Sequence, residues 1–561
     1  MRGLLLSLLL PLFCTAKVRL PAIFSDNLVF QQLGGNPIWG WADPKEKITV
    51  KTSWGETHSA TAGSSGRWMV IAYTPKAGTG HQVTIQGSNK ILLKNVAIGE
   101  VWLCAGQSNM GWSMGNSFEA EKEAKVDLPH FRIFRSAREH WHEPLKENRD
   151  RLARWKACDP KSAAETSAVS YYFGKKLHQT LGVPVGIIQR AYAGTPIEGW
   201  MPWPIQKDDP RAQALKRSYD EASKRLEARG ASNEKALIAY QKELAEYNAK
   251  IERGETMKNQ FRPLAPPIIT KPPNLGHQYP AHIFNAMIVP IRPYAIRGML
   301  WYQGERNAKN APQAEHYAVQ LRRMIDHYRS SWHGESWGAV NDGFPVQFTQ
   351  LPSWNPPQSK PVEGPESPWA VSRESMRKVS LGLYDTAMAV TIDTGDAIEL
   401  HPKNKKPIGL RHAYLALGKT YGLPIVHEGP VLTMHEAKEG KIILRFKSAG
   451  SGLVPARKGK LDAFALAGKD KVWHWADARI EKDSIVLSSP KVKSPVAARY
   501  AWAMNPSQRN LLYNKEGFPA SPFRTDDWPL YDPGAELIEV IKPAKPKGYQ
   551  SKDWARPSIA E

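Results

Sequence analysis

The sequence predicts an α/β protein: a parallel sheet covered by helices, with an all-β module on either side and a helical insertion. Three patterns carry this reading. Between residues 98 and 425, short apolar runs alternate with stretches of helical spacing, as in a sheet buried on both faces. Before and after that region, β-rich runs bounded by Gly, Pro and Ser follow one another without helices. Between 209 and 254, a charged stretch repeats apolar residues every three to four positions.

In chain order, Arg2 precedes Leu4–Leu6 and Leu8–Leu10, and the small residue Ala16 closes the stretch. Residues 1–16 read as a cleaved secretory signal, so a secreted or periplasmic protein is expected. Residues 17–97, with Ile48–Thr52, Trp68–Ile71 and Val83–Ile85, read as a small β-sandwich. The 98–425 domain draws its strands from Val101–Cys104, Val185–Ile188, Gly298–Tyr302, Val346–Phe348 and Ala387–Ile392. A helix spans about 167–181 and stops at Gly182. Inside this domain, Asp209 is a cap and Pro210 opens a helix carrying Leu215, Tyr219, Ala222 and Leu226. Gly230 reads as its end. Leu237, Tyr240, Leu244, Tyr247 and Ile251 repeat the pattern to Gly254, so 209–254 reads as a helical hairpin. Residues 426–530 form a second β module, with Ile442–Phe446, Val472–Trp475 and Ser484–Leu487. The basic, Pro-rich end, 531–561, reads as a loose tail.

Composition narrows the function. At 561 residues the chain exceeds one hydrophobic core. With 42% hydrophobic and 23% charged residues it is not a disordered chain, and no run of 18 apolar residues spans a membrane. A net charge of +22 favours anionic partners, but the basic residues are scattered and no nucleic-acid motif accompanies them, so nucleic acid is not expected. After signal removal only Cys104 and Cys158 remain, either as a pair or as two buried thiols. No metal or cofactor motif is present: there is no H-E-x-x-H and no phosphate loop.

Four strand ends bring chemistry to one sheet edge, where α/β proteins place ligands. Ser108, in Gly106-Gln107-Ser108-Asn109-Met110, follows Val101–Cys104 directly and is the candidate nucleophile. Ser113 sits in a G-x-S-x-G match but lies nine residues past Cys104, so it lacks the strand-to-turn context that motif requires. Serine needs a base. His401 follows the Ile392 strand with Asp393, Asp396 and Glu399 close before it. Trp301–Asn307 adds Gln303 and Asn307 as amide donors and Glu305 as an acid able to orient an imidazole. Tyr192–Pro196 adds Gly194, where backbone can approach a ligand. Together these are the parts of an acyl-transfer site.

With these residues in view, the chain resembles the sialate O-acetylesterase family of secreted SGNH-type hydrolases. The resemblance runs through Leu20–Asp26, Pro37–Trp41, Val101–Met110, Trp301–Asn307, His401-Pro402, Arg499–Trp502 and Gly517–Asp526. It implies a flavodoxin-like SGNH domain and a cofactor-free serine esterase acting on acetylated carbohydrate, foremost sialic acid. It implies Ser108 as nucleophile and His401 as base. The oxyanion hole would come from Ser108 N–H, Gly194 N–H and an amide of the Gln303/Asn307 cluster. Acetylated plant polysaccharide such as xylan is the alternative substrate, and a non-catalytic carbohydrate-binding protein the alternative of another class. Three positions depart from the family pattern: Ala193 stands for a second glycine, Arg306 for a small residue, and Ile398 for the acid three before the histidine. The orienting acid is therefore Glu305, Glu399 or Asp396.

Overall fold

A computed structural model describes residues 17–118, 120–123, 125–150, 152–255, 262–263 and 276–549. The expected signal over 1–16 and the end of the tail, 550–561, lie outside them. The described residues fall into two compact units. One comprises those of 1–138, 146–193 and 290–561; the other, 139–145 and 194–289.

The first unit is mixed α/β, built on one large sheet. Its central strands are β1 (Lys90–Gly106), β2 (Leu128–Arg135), β3 (Arg154–Cys158), β4 (Val185–Ala191), β5 (Gly298–Tyr302), β6 (Val346–Thr349) and β7 (Thr386–Ala389). They lie in the order β7-β6-β5-β1-β4-β2-β3, all neighbours parallel except β3 on β2. Taken alone, β1, β4, β5, β6 and β7 run second-first-third-fourth-fifth across the sheet. β1 is 17 residues long. Its first half pairs with Gly78–Gln86 and Val29–Gln31 of the N-terminal module; its second half pairs with β4 and β5. One strand thus crosses the boundary expected at 97/98.

Alternation along the strands sends side chains to opposite faces. Trp102, Cys104, Ile187, Leu300 and Tyr302 share one core with Ala168, Val169 and Phe173 of α2 (Ala168–Leu181) and with Ile408 of α6 (Lys406–Leu415). On the other face Trp301 donates to Tyr317 Oη of α4 (Ala311–Glu335) at 3.1 Å, and α5 (Pro368–Gly382) packs on α4 and β7. Between these, α1 (Ser108–Gly111) is a four-residue turn of helix directly after β1. Cys104 and Cys158 are free, buried thiols, and burial pushes both up to about 12. The C-terminal module holds two four-stranded antiparallel sheets around one core that includes Ile442, Leu444, Phe464, Ile485, Leu487 and Tyr500.

The second unit contains α3, a single helix over Pro210–Glu252 of 43 residues. The expected hairpin over 209–254 is therefore corrected: the helix runs through Gly230. A glycine costs a helix interior only about 1 kcal/mol relative to alanine, and no proline follows to break the pattern. The cap does hold as read, with Asp209 Oδ1 accepting from Arg211 N at 3.0 Å and Ala212 N at 3.3 Å. Arg211 pairs with the fully buried Glu198 at 2.6 Å, and Tyr219 packs edge-on against Tyr279 and His282.

Candidate active site

The site is built at the C-terminal edge of the central sheet, where β1 and β5 end side by side. Gly106 closes β1 at φ +148°, and a Cβ there would lie 2.1 Å from Tyr302 O. Only glycine allows the two strand ends this approach. Gln107 N then donates to Tyr302 O at 3.0 Å and the chain turns at once into α1. Ser108 therefore leaves the strand half-buried, its side chain at the edge and its N–H among the first amides of a helix, which have no intrahelical acceptor.

His401 Nε2 lies 2.9 Å from Ser108 Oγ. The imidazole stacks on Trp112, with ring centroids 5.5 Å apart and planes 21° from parallel. Burial holds the His401 pKa down to about 4, helped by the charges of Lys405 and Lys542 and opposed by Glu399. The ring is therefore neutral at pH 7, the form that accepts a proton.

The acids that precede His401 are engaged elsewhere. Asp393 is paired in two-point fashion with Arg411, at 2.6 and 2.5 Å, and accepts from Tyr513 Oη at 2.7 Å. Asp396 Oδ1 accepts from Ile398 N and Glu399 N, which shapes the turn leading to His401, and from Tyr549 Oη at 2.7 Å. Glu399 pairs with Lys545. The structure brings Glu399 near the imidazole electrostatically, without a hydrogen bond to it among the described residues.

Glu305 lies beneath the Ser108 turn. Its Oε1 accepts from Asn109 Nδ2 at 2.5 Å, and Asn109 Oδ1 accepts from Lys405 Nζ at 2.5 Å. Asn109 Nδ2 also approaches Leu400 O at 3.3 Å. Glu305 Oε2 is buried with no hydrogen-bond partner among the described residues, and burial raises this carboxyl's pKa against the pull of Asn109 and Lys405. A buried chain Glu305–Asn109–Lys405 thus ties the serine turn, the β5 end and the histidine loop together. Gly304, at φ +154°, lets the β5 end turn inward; a Cβ there would meet Met376 Cε at 2.8 Å. Gln303 Nε2 donates to Asn307 Oδ1 at 2.8 Å, and Gln303 Oε1 accepts from Tyr317 Oη at 2.8 Å. That fixes the Asn307 amide with its nitrogen turned away from Gln303.

A profile of the family described as "Carbohydrate esterase, sialic acid-specific acetylesterase" matches residues 98–264 and 273–346. The crystal structure of a carbohydrate acetylesterase from Xanthomonas citri is 30% identical, covers 91% of this chain and 100% of its own, and superposes with a TM-score of 0.73. The chain belongs to the sialic acid-specific acetylesterase family. It is a carboxylic ester hydrolase. Sialate O-acetylesterases of Mus musculus and Homo sapiens are 26% and 25% identical to it, over 90% and 93% of this chain and 93% and 96% of theirs.

Ser113 is engaged locally: its Oγ accepts from Asn116 at 2.9 Å and its backbone bridges to Ser167. Gly194, at φ +73°, belongs to the second unit. Arg306 is half-buried in the turn after β5. Three residues around Ser108 and His401 escaped sequence reasoning: Asn109, Lys405 and Trp112. Asn109 directly follows the serine and Lys405 stands four past the histidine, but a lysine near a basic stretch gives no sign that it is fully buried. Among the described residues no helix is long and apolar enough to cross a membrane.

Proposed function

We propose that the protein is a secreted sialate O-acetylesterase working through an acetyl-enzyme on Ser108, in a flavodoxin-like SGNH domain. The observation that carries the mechanism is the 2.9 Å contact between Ser108 Oγ and His401 Nε2 at the edge of a parallel sheet. His401 takes the hydroxyl proton as Oγ attacks the acetyl carbonyl, and the C=O electrons move to oxygen. Ser108 N–H and the Asn307 amide supply hydrogen bonds to that oxyanion, with Gln303 positioning Asn307. Collapse expels the sugar oxygen, which takes the proton from His401. Water then attacks the acetyl-serine, giving its proton to His401; collapse breaks the bond to Ser108 Oγ, which takes that proton back, and acetate leaves.

The order of β1, β4, β5, β6 and β7 supports the SGNH reading, since the same order defines flavodoxin-like sheets. Glu305 supports the site from below rather than orienting the far nitrogen of His401. Export is supported by the leader pattern of residues 1–16.

The test is active-site labelling. A fluorophosphonate should modify Ser108, read by peptide mass spectrometry, and should stop acetate release from 9-O-acetylated sialic acid in proportion. Labelling at Ser113, or activity that survives full labelling, refutes the mechanism. Equal or better cleavage of acetylated xylo-oligosaccharide refutes the sialate assignment and leaves the mechanism standing.

A further inference from the structure

The C-terminal segment lies along the catalytic edge instead of hanging free. Val540 N donates to Lys309 O at 2.8 Å. Further on, Lys545 pairs with Glu399 and Tyr549 Oη donates to Asp396 Oδ1 at 2.7 Å. Both acids belong to the turn that ends at His401. Pro543 and Pro546 fix the backbone between these anchors, because each ring locks φ and removes a donor. Lys542 sits between the first anchor and the other two. It is exposed and makes no ion pair or hydrogen bond among the described residues, yet it lies close enough to His401 to oppose protonation of the ring.

Two other lysines around the His401 loop are committed. Lys405 is fully buried against Asn109, and Lys545 is spent on Glu399. An acetyl group is too small to identify its sugar, so selectivity has to come from groups at the rim. A cation held in place by anchors on both sides, with its ammonium open to solvent, is suited to an anionic substituent. We propose that Lys542 is a specificity residue that meets the carboxylate of an acidic acetylated sugar, on a strap positioned by Tyr549 and Lys545. This rests on the sialate reading above and adds the group that recognises the acid. A bound carboxylate there would also offset the Lys542 charge beside His401, so the acidic substrate would find a more basic histidine than a neutral ester does.

The test compares acetate release from 9-O-acetyl-N-acetylneuraminic acid and from its methyl ester, using the full-length protein. The unmodified enzyme is expected to prefer the acid. Lys542→Gln should reduce the acid-to-ester ratio of kcat/KM by about three- to tenfold, chiefly through KM for the acid, as expected for a charge-assisted contact at a partly exposed site. Lys542→Arg should restore most of the ratio. Tyr549→Phe, which frees the strap without changing charge, should lower the ratio less than Lys542→Gln. A preference that survives Lys542→Gln overturns the proposal alone, as does an equal loss on both substrates, which would mark a structural role. No preference in the unmodified enzyme overturns the sialate reading and this proposal with it.

Discussion

Replacing Glu305 by glutamine should cost the enzyme far more than the same change at Glu399. Glu305 is buried, and its carboxylate offsets Lys405 through Asn109, with both links at 2.5 Å. In Glu305→Gln the amide oxygen can still accept from Asn109, but the charge that balances a fully buried lysine is gone and two amide hydrogens enter a pocket where Oε2 has no partner among the described residues. Leaving a buried charged group poorly compensated costs about 2–3 kcal/mol. Part of this should appear as lost stability and part as a displaced Ser108 turn, since Asn109 follows Ser108 directly. One tenfold step in rate is about 1.4 kcal/mol, so kcat/KM on a chromogenic acetate should fall about ten- to a hundredfold. Glu399 is partly exposed and its ion pair is with Lys545 at the surface. Glu399→Gln should cost under about 1 kcal/mol of stability and change kcat/KM less than about threefold. Both variants are assayed after circular dichroism and thermal melts confirm folding. A larger catalytic loss for Glu399→Gln would refute the reasoning and favour Glu399 as the acid that serves His401.

Ser108→Ala should abolish ester hydrolysis, by up to about a million-fold, while Ser113→Ala keeps most of it; matched progress curves decide. For pH, His401 acts as base only when neutral, and its pKa is held near 4, so kcat/KM should stay level from neutral pH to about pH 5.5 and fall only below that. The groups facing the ring are Ser108, Trp112, Lys405, Glu399 and Lys542; removing a cation favours imidazolium, so Lys542→Gln should move the acid limb to higher pH, seen in a pH profile with a neutral ester. Gly230→Ala should strengthen α3 by about 1 kcal/mol if the helix is continuous there, raising amide protection around residue 230 in hydrogen exchange; at a left-handed helix stop the same change would weaken it.

Much of this was legible in the sequence. The apolar runs at Val101–Cys104, Val185–Ile188 and Gly298–Tyr302 became neighbouring parallel strands because each is buried on both faces. That Ser108 and His401 would meet could be read because each follows such a strand, and strand ends converge at one edge. The fate of the acids was not readable. Asp393, Asp396 and Glu399 all precede His401, but their partners, Arg411, Tyr549 and Lys545, lie 18, 153 and 146 residues away along the chain. Local spacing carries no information about such contacts. The 209–254 segment failed for another reason. Gly230 and Gly254 look alike in sequence, and whether a glycine stops a helix depends on what the next turn can bury. The continuous helix is about 65 Å long at 1.5 Å per residue, so its ends cannot be bridged by a short linker as those of a hairpin could.

The 17-residue strand Lys90–Gly106 has a consequence for how the molecule can be cut and how it comes apart. Its first half is laced to the N-terminal module and its second half ends at the turn that presents Ser108. The module is therefore no detachable accessory: trimming at 97 would cut this strand in two and strip Ile98 and Gly99 of their partners Phe30, Gln31 and Gly78, slackening the strand that leads to Ser108. Loosening of the module by heat, protease or mutation should be felt at Ser108, nine residues beyond the last backbone bond the module makes to the strand, at Gly99. Fragments built to carry the hydrolase alone should begin ahead of Val29, and partial unfolding should extinguish activity before the parallel sheet itself is lost.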